Sequence, residues 1–217
     1  MDTPTTAPKS GQPPMLYLAS QSPRRRELLA QWGVACQTLL ADASEDAEAL
    51  EQVRRGESPT AYVQRVTRNK LHAALVRWAA RGLAAAPVLC ADTTVALGSQ
   101  LLGKPVDADH ARAMLQALSG RTHRVLTSVA VANPGGPVHQ ALAVARVRFA
   151  TLGEAAIARY VASGEPFGKA GAYAIQGAAA VWVNHLSGSH SAVVGLPAHE
   201  TAQVLAQVGL ALPFPPR

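Results

Sequence analysis

Leu16-Tyr17-Leu18-Ala19-Ser20-Gln21-Ser22-Pro23-Arg24-Arg25-Arg26-Glu27-Leu28-Leu29 sets a short apolar run directly against a helix start. Leu16 to Ala19 reads as a buried strand. Ser22 offers a hydroxyl as N-cap and Pro23 suits the first helical position. Leu28, Leu29 and Trp32 continue an apolar helical face. Arg24, Arg25 and Arg26 then fall in the first helical turn, where the dipole disfavours each cation by about 0.3–1 kcal/mol. Backbone N–H groups, hydroxyls and guanidinium groups converging on one strand-to-helix turn make a site for a polyanion. A solvated basic helix start is the plainer reading of the same residues.

Further along, a strand is predicted at 34–40, followed by an acidic, irregular stretch at 41–57. Ser58-Pro59 starts a helix that runs to Arg81. An apolar strand at 87–97 ends in the Gly98-Ser99-Gln100 turn. Asp109 is placed as the cap of a helix at 110–118, closed by Ser119-Gly120. Strands at 123–132 and 141–150 flank the breakers Asn133-Pro134-Gly135-Gly136-Pro137 as a hairpin. A helix at 152–163, short strands at 181–186 and 192–195 and a last helix at 197–210 follow. Crossover units and hairpins together predict an α/β fold: a mixed twisted sheet with helices, in two lobes around a central cleft. Residues 1–14, rich in Pro and Thr, read as a disordered tail, 15–211 as a single two-lobed domain and 212–217 as a loose C-terminal end.

The 217 residues are 48% hydrophobic, enough to bury a core. No apolar run is long enough to span a bilayer, and the N-terminus lacks a signal-peptide pattern. Cys36 and Cys90 give neither a disulfide framework nor metal-ligand spacing, and a cytoplasmic location is expected. The net charge of +6 suits an anionic partner. Sixteen basic residues are Arg and only four are Lys, in an Ala-rich chain, which reads as coding bias. Bulk charge is therefore weak support for nucleic-acid binding, and no arginine–aromatic interleaving is present. The same bias draws attention to Lys70, Lys104 and Lys169, where a compact ammonium has been kept.

Asp92 is the sharpest single residue. It is the only carboxylate between Ser58 and Val106 and is placed at or near the end of an apolar strand. A buried carboxylate is normally paired, bound to metal or catalytic. The acidic loop, with Asp42, Glu45, Asp46, Glu48 and Glu51, can supply one or two partners to hold Mg²⁺ beside Asp92. Lys104 sits between Gly103 and Pro105, which in isolation reads as an exposed lysine in a turn. The stretch 165–177 is a loop of small residues in which Lys169 can meet phosphate and Gln176 can pair with a base. P-loop, nucleophile-elbow and Rossmann patterns are all missing. What remains is a set of Lys, Arg and Ser with a few carboxylates, suited to metal-assisted attack of water on a phosphate chain.

These segments together resemble the Maf family of nucleoside triphosphate pyrophosphatases. The resemblance rests on Leu18-Ala19-Ser20-Gln21-Ser22-Pro23-Arg24-Arg25, Ala91-Asp92-Thr93, Gly103-Lys104-Pro105, Leu118-Ser119-Gly120 with His123, Lys169-Ala170-Gly171-Ala172-Tyr173 with Ile175-Gln176-Gly177, and Val194-Gly195-Leu196-Pro197. It covers 16–205. It implies a fold similar to the inosine triphosphate pyrophosphatases and hydrolysis of a nucleoside triphosphate to the monophosphate and pyrophosphate, with a divalent cation, Mg²⁺ or Mn²⁺. It further implies Asp92 as proton acceptor, Lys70 and Lys104 at the phosphates, Glu45 and Asp92 at the metal, and Ser20, Arg24, Arg25, Thr93, Lys169 and Gln176 at the substrate. Ser22-Pro23-Arg24-Arg25, Asp92-Thr93 and Ile175-Gln176-Gly177 look like the branch that prefers dTTP and UTP. Three positions depart from the family pattern: the form of the acidic loop around Glu45, Gly168 in place of an Asp, and Ala174 in place of a Gly. The expected partner is the nucleotide, with no membrane and no nucleic acid, and a homodimer is compatible with this. The rival reading is a non-catalytic regulator that binds nucleotide or nucleic acid, for example in septum formation.

Overall fold

The computed structural model describes residues 15–42, 45–46 and 49–213. The tail expected at 1–14, the last residues 214–217 and Glu48 lie outside the described residues. The opening apolar run forms β1, Met15–Leu18, and α1, Pro23–Gln31, follows it. After β2, Ala35–Thr38, and a 3-10 turn at Ala49–Glu51 comes the long α2, Pro59–Ala80. Ser58 caps α2, its Oγ accepting from Ala61 N–H at 3.2 Å. The order continues with β3 (Val88–Leu97), β4 (Gln100–Leu102), α3 (Ala108–Leu118), β5 (Thr122–Ala132) and β6 (His139–Phe149). It closes with α4 (Glu154–Ala162), β7 (Val183–Ser187), α5 (His190–Val194) and α6 (Ala198–Gln207).

Seven strands form one sheet in the order β2-β1-β3-β5-β6-β7, with β4 also on β3. β2, β1 and β3 run parallel, and β3 through β7 are antiparallel, so the sheet is mixed as expected. One detail of the pairing creates the site. β5 accompanies one edge of β3 from Val88 to Ala96. The other edge is shared: β1 pairs at Val88 and Leu89, and β4 only from Val95 to Leu97. Between these contacts no strand flanks β3 among the described residues.

Helices cover both faces. Leu71 and Ala74 of α2 pack on Val88, Cys90, Ala130 and Ala132, and Val63 packs on Ala96 and Leu126. On the opposite face Leu29 of α1 and Val204 and Leu205 of α6 meet Leu89, Ala91, Val129 and Val131. The even positions of β3 thus face α2 and the odd ones face away, as strand alternation requires.

Several local expectations differ from the structure. Asp92 is in the middle of β3, not at its end. Asp107, not Asp109, caps α3, its Oδ1 accepting from His110 N–H at 2.7 Å, while Asp109 pairs with Arg112. Ser22 makes no side-chain cap; its own N–H donates to Ser20 Oγ at 3.1 Å. The strand expected at 192–195 is helix α5, because Ser189 Oγ accepts from Ala192 N–H and starts a helical turn there. The strand expected at 181–186 begins only at Val183, after a 3-10 turn at Ala178–Trp182.

His123 is fully enclosed, edge-on to Phe149 and Tyr173, with Nε2 2.8 Å from Tyr173 Oη. Its Nδ1 has no hydrogen-bond partner among the described residues. Burial pushes its pKa down from 6.5 to about 4. Between those values the unfolded chain binds a proton that the folded one refuses. The contribution to stability is complete above pH 6.5 and is lost as pH falls toward 4. Urea unfolding at a series of pH values is expected to show His123 contributing a fall on the order of 3 kcal/mol over that window. His123→Phe removes the titration and is expected to flatten the curve; the same slope in both proteins would refute this assignment.

Candidate active site

The interrupted edge of β3 opens into a cleft of about 610 Å³. Asp92 and Thr93 stand at the interruption, on opposite faces of the strand, and both reach the cleft because, among the described residues, no strand covers β3 on that edge.

On the α2 face, Asp92 Oδ1 accepts from Lys70 Nζ at 2.6 Å. The same ammonium donates to Glu51 Oε1 at 2.7 Å, and Lys104 Nζ lies 3.0 Å from Glu51 Oε2. Asp92, Lys70, Glu51 and Lys104 therefore form a chain of alternating charge along the cleft. Burial alone would lower the Lys70 pKa, but Asp92 and Glu51 outweigh it and raise it, so the side chain stays an ammonium. Burial would raise Glu51, and Lys70 and Lys104 reverse that, holding it an ionised carboxylate.

Glu51 is delivered by its backbone. Tyr62 Oη donates to Glu51 O at 2.9 Å and Arg65 Nη2 to Gln52 O at 2.8 Å. Tyr62 and Arg65 are one turn apart on α2, and Arg65 also forks onto Glu57. Glu45 is elsewhere: both of its oxygens accept from Arg77, at 2.6 and 2.5 Å, and that guanidinium also donates to Leu39 O. The side-chain hydrogen bond from Arg77 holds Glu45 below the usual carboxylate pKa. Of the acidic loop, Glu51 and not Glu45 stands with Asp92. Nothing in the local sequence distinguishes Glu51, because its placement comes from Tyr62 and Arg65 on another element.

On the opposite face, Arg25 turns inward from the first turn of α1. Its Nε donates to Gly195 O at 2.8 Å, Nη1 to Ser20 Oγ at 3.0 Å and Nη2 to Thr93 Oγ1 at 3.3 Å. Thr127 gives its proton to Ala192 O at 2.7 Å, so in the 2.9 Å contact between Thr93 and Thr127 it is Thr93 that donates. One guanidinium thus joins α1, β3 and the end of α5, which explains an arginine where the helix dipole opposes it. Burial lowers its pKa against the pull of Asp92. Cys90, two residues before Asp92, is pushed up to about 11 by burial, its thiol 3.3 Å from Ala19 O.

The third wall is 167–176. Gly171 N–H donates to Gly103 O at 3.0 Å, docking this segment beside Lys104. Gly171 adopts φ +70°, and a Cβ there would stand 2.9 Å from Val95 Cγ2, so only glycine lets the backbone lie so close to β3. Lys169 Nζ donates to Glu165 O and lies 3.5 Å from Phe167 O. Its pKa is lowered by burial and then by Arg24. Gln176 is exposed on the rim, with no hydrogen-bond partner among the described residues. Arg24, Lys169 and Gln176 line both the cleft and an adjoining recess of about 310 Å³.

The structure therefore gathers Ser20, Arg24, Arg25, Lys70, Asp92, Thr93, Lys104, Lys169 and Gln176 around one cleft, and leaves Glu45 outside it. Of the eight charged side chains lining the cleft, six are cations and two are carboxylates. Arg77 is already neutralised by Glu45, yet a positive excess remains. This is an α/β protein whose cleft takes a polyanion. A family model described as Maf-like protein matches residues 15–208, and the chain belongs to the Maf family. The dTTP/UTP pyrophosphatase of Ralstonia nicotianae is 59% identical over 96% of this chain and 99% of its own length. That of Cupriavidus metallidurans is 60% identical over 90% of this chain and 98% of its own. A solved nucleoside-triphosphatase (dITP/XTP pyrophosphatase) of Mycobacterium abscessus is similar over 64% of this chain and 75% of that chain, at 15% identity and a TM-score of 0.42.

Arg25→Met keeps an unbranched apolar stem, two atoms shorter, and removes all three hydrogen bonds. Its unfolding free energy in urea is expected to fall by about 1–3 kcal/mol, the scale for leaving buried acceptors unpaired. Unchanged stability would show that Arg25 is not the tie between α1, β3 and α5.

Proposed function

We propose that the protein hydrolyses dTTP and UTP to the nucleoside monophosphate and pyrophosphate, with a divalent cation, Mg²⁺ or Mn²⁺, and that it clears excess or non-standard nucleotides in the cytoplasm. The observation that carries this reading is the pair of carboxylates, Asp92 and Glu51, held on the single Lys70 ammonium in a cleft otherwise rich in cations. The names of the relatives at 59% and 60% identity support the same reading. No helix among the described residues is long and apolar enough to cross a membrane.

A carboxylate pair repels a phosphate chain unless a cation intervenes. No group of three or more metal-ligating side chains occurs among the described residues. Two carboxylates completed by substrate phosphates and water are nevertheless the donor set that Mg²⁺ takes at phosphate-transfer sites. Asp92 and Glu51 would hold the ion, and Glu51 replaces Glu45 in that role because Glu45 is committed to Arg77. When bound, the cation polarises phosphate oxygens and offsets their charge.

The chain's own residues do the rest. Asp92 accepts a proton from the attacking water, whose oxygen ends on the nucleoside monophosphate as the α–β anhydride bond breaks. Lys70 and Lys104 neutralise the charge that develops on the departing pyrophosphate. Arg24 and Lys169 bind the phosphates or the base edge from the opposite wall. Arg25 and Ser20 shape that wall, and Arg25 retains two of its five N–H groups for the substrate. Gln176 presents an amide donor and acceptor, which match the acceptor–donor–acceptor edge of uracil and thymine. A non-catalytic binder would have no use for the carboxylate pair; a nucleic-acid binder would show steep salt dependence and bind without metal.

With dTTP and Mg²⁺ the protein is expected to release pyrophosphate and dTMP; orthophosphate as the sole inorganic product would reject this cleavage position. Asp92→Asn is expected to fold and to lose on the order of 10²–10⁴-fold in turnover, the usual share of a general base. Glu51→Gln is expected to raise the Mg²⁺ concentration for half-maximal rate, while Glu45→Gln leaves it near the wild-type value; the reverse pattern would restore Glu45 as ligand. A panel of purine and pyrimidine triphosphates is expected to favour dTTP and UTP, and equal rates on all bases would defeat that preference alone.

A further inference from the structure

Gln176 has no hydrogen-bond partner among the described residues, so its position depends on the backbone that carries it. That backbone is a tight turn, closed by Gly177 N–H donating to Ala174 O at 3.1 Å. Both ends of the turn are caught by side chains from outside it. Ala174 N–H lies 3.4 Å from Tyr160 Oη, and Tyr160 Oη donates to Glu165 Oε1 at 2.9 Å. The other oxygen, Glu165 Oε2, accepts from Ala178 N–H at 3.1 Å. The run from Ala174 through Tyr160 and Glu165 to Ala178 closes a ring of hydrogen bonds around Gln176 and Gly177.

The ring is rigid at its base. Tyr160 is buried, and its ring is edge-on to Trp182 with centroids 4.8 Å apart. Burial and the bond to Glu165 raise its pKa, so it stays a donor. The carboxylate lies directly over Gly177, where a Cβ would come within 1.9 Å of Glu165 Oε1. A side chain there would displace the carboxylate, while the backbone angle itself makes no demand for glycine. Glu165 also reaches the phosphate side of the cleft, since its carbonyl holds Lys169. It lines the recess that Gln176 shares with Arg24 and Lys169.

We propose that Glu165, braced by Tyr160, is a positioning residue for base discrimination: it fixes the 174–178 turn so that Gln176 meets the base edge in one orientation. This rests on the reading of the site as a dTTP and UTP pyrophosphatase. A hydrogen-bonding amide rejects the wrong base only while its donor and acceptor are held in register; a loose turn lets the amide follow any partner.

Three variants test it, each compared with wild type for kcat and KM on UTP, dTTP, CTP, ATP and GTP, and for exchange of the Ala174 and Ala178 amide protons. Glu165 is only partly buried, so Glu165→Ala is expected to fold. It is expected to raise KM for UTP and dTTP about 10-fold, to leave kcat within about 3-fold and to erase most of the base preference, as loss of a specific hydrogen-bonding register does. Glu165→Gln still offers an acceptor to Ala178 and a donor to Tyr160 and is expected to retain the preference. Gly177→Ala keeps every polar group but pushes the carboxylate aside and is expected to behave as Glu165→Ala does. Both disruptive variants should exchange the two amides faster. Faster exchange with an unchanged base preference would overturn the proposal and leave a purely structural clamp. Unchanged exchange in Glu165→Ala would overturn the clamp itself. A wild-type enzyme without base preference would overturn the parent reading and the proposal with it, and the wild-type panel alone identifies that case.

Discussion

The interruption along one edge of β3 is the constraint on which the site depends. A strand in the middle of a sheet normally has its backbone covered on both edges and its side chains buried on both faces. Here β1 leaves β3 after Leu89 and β4 joins it only at Val95. The uncovered length lets residues on opposite faces of one strand reach a common space. Asp92 meets Lys70 from α2, Thr93 meets Arg25 from α1, and the cleft passes between them. Filling the interruption with a continuous strand would restore the sheet and separate the two faces.

The chain of Asp92, Lys70, Glu51 and Lys104 is better understood as a functional arrangement than as a brace. Desolvating an ion pair offsets much of its Coulombic gain, so apolar residues of similar volume would hold α2 on β3 at least as well. What the chain achieves is to hold two carboxylates close together on one ammonium, a placement their mutual repulsion would otherwise oppose. Arg25 is the counterpart on the other wall. Its planar fork reaches three acceptors on three elements, a task that the single-point ammonium of lysine performs poorly.

Much of this was legible in the chain. The apolar runs that become β1, β3 and β5, the breakers between β5 and β6, and the Ser-Pro start of α2 all formed as their local chemistry indicates. Asp92 stood out because no other carboxylate lies near it in sequence. Where sequence reasoning failed, the deciding partner was remote or two neighbours were chemically equivalent. Asp107 and Asp109 can each cap α3, and only backbone geometry selects the first. A short apolar run such as 192–195 suits either a strand or a helix, and the Ser189 hydroxyl decides. The acidic loop offers several carboxylates without periodicity. Arg77 captures Glu45, while Tyr62 and Arg65 turn Glu51 toward Lys70. Helix α2 thus sorts the carboxylates of a segment that precedes it, and that sorting is visible only in three dimensions.

The parallel pairing of β1 with β3 also bears on how the molecule is assembled. β5 and β6 are adjacent in the chain and zip from Thr122 to Val131 in unbroken register, which is a local and rapid kind of contact. β1 instead pairs Tyr17 with Val88, about 70 residues later, and closing so long a loop is slow. A ribosome that has delivered β1, α1 and α2 has delivered Arg25 and Lys70 but not the strand that brings them together. The cleft therefore comes into being only after β3 has emerged and 167–176 and Gly195 have closed around it, so Arg25 and Lys70 are made long before the cleft that they line exists.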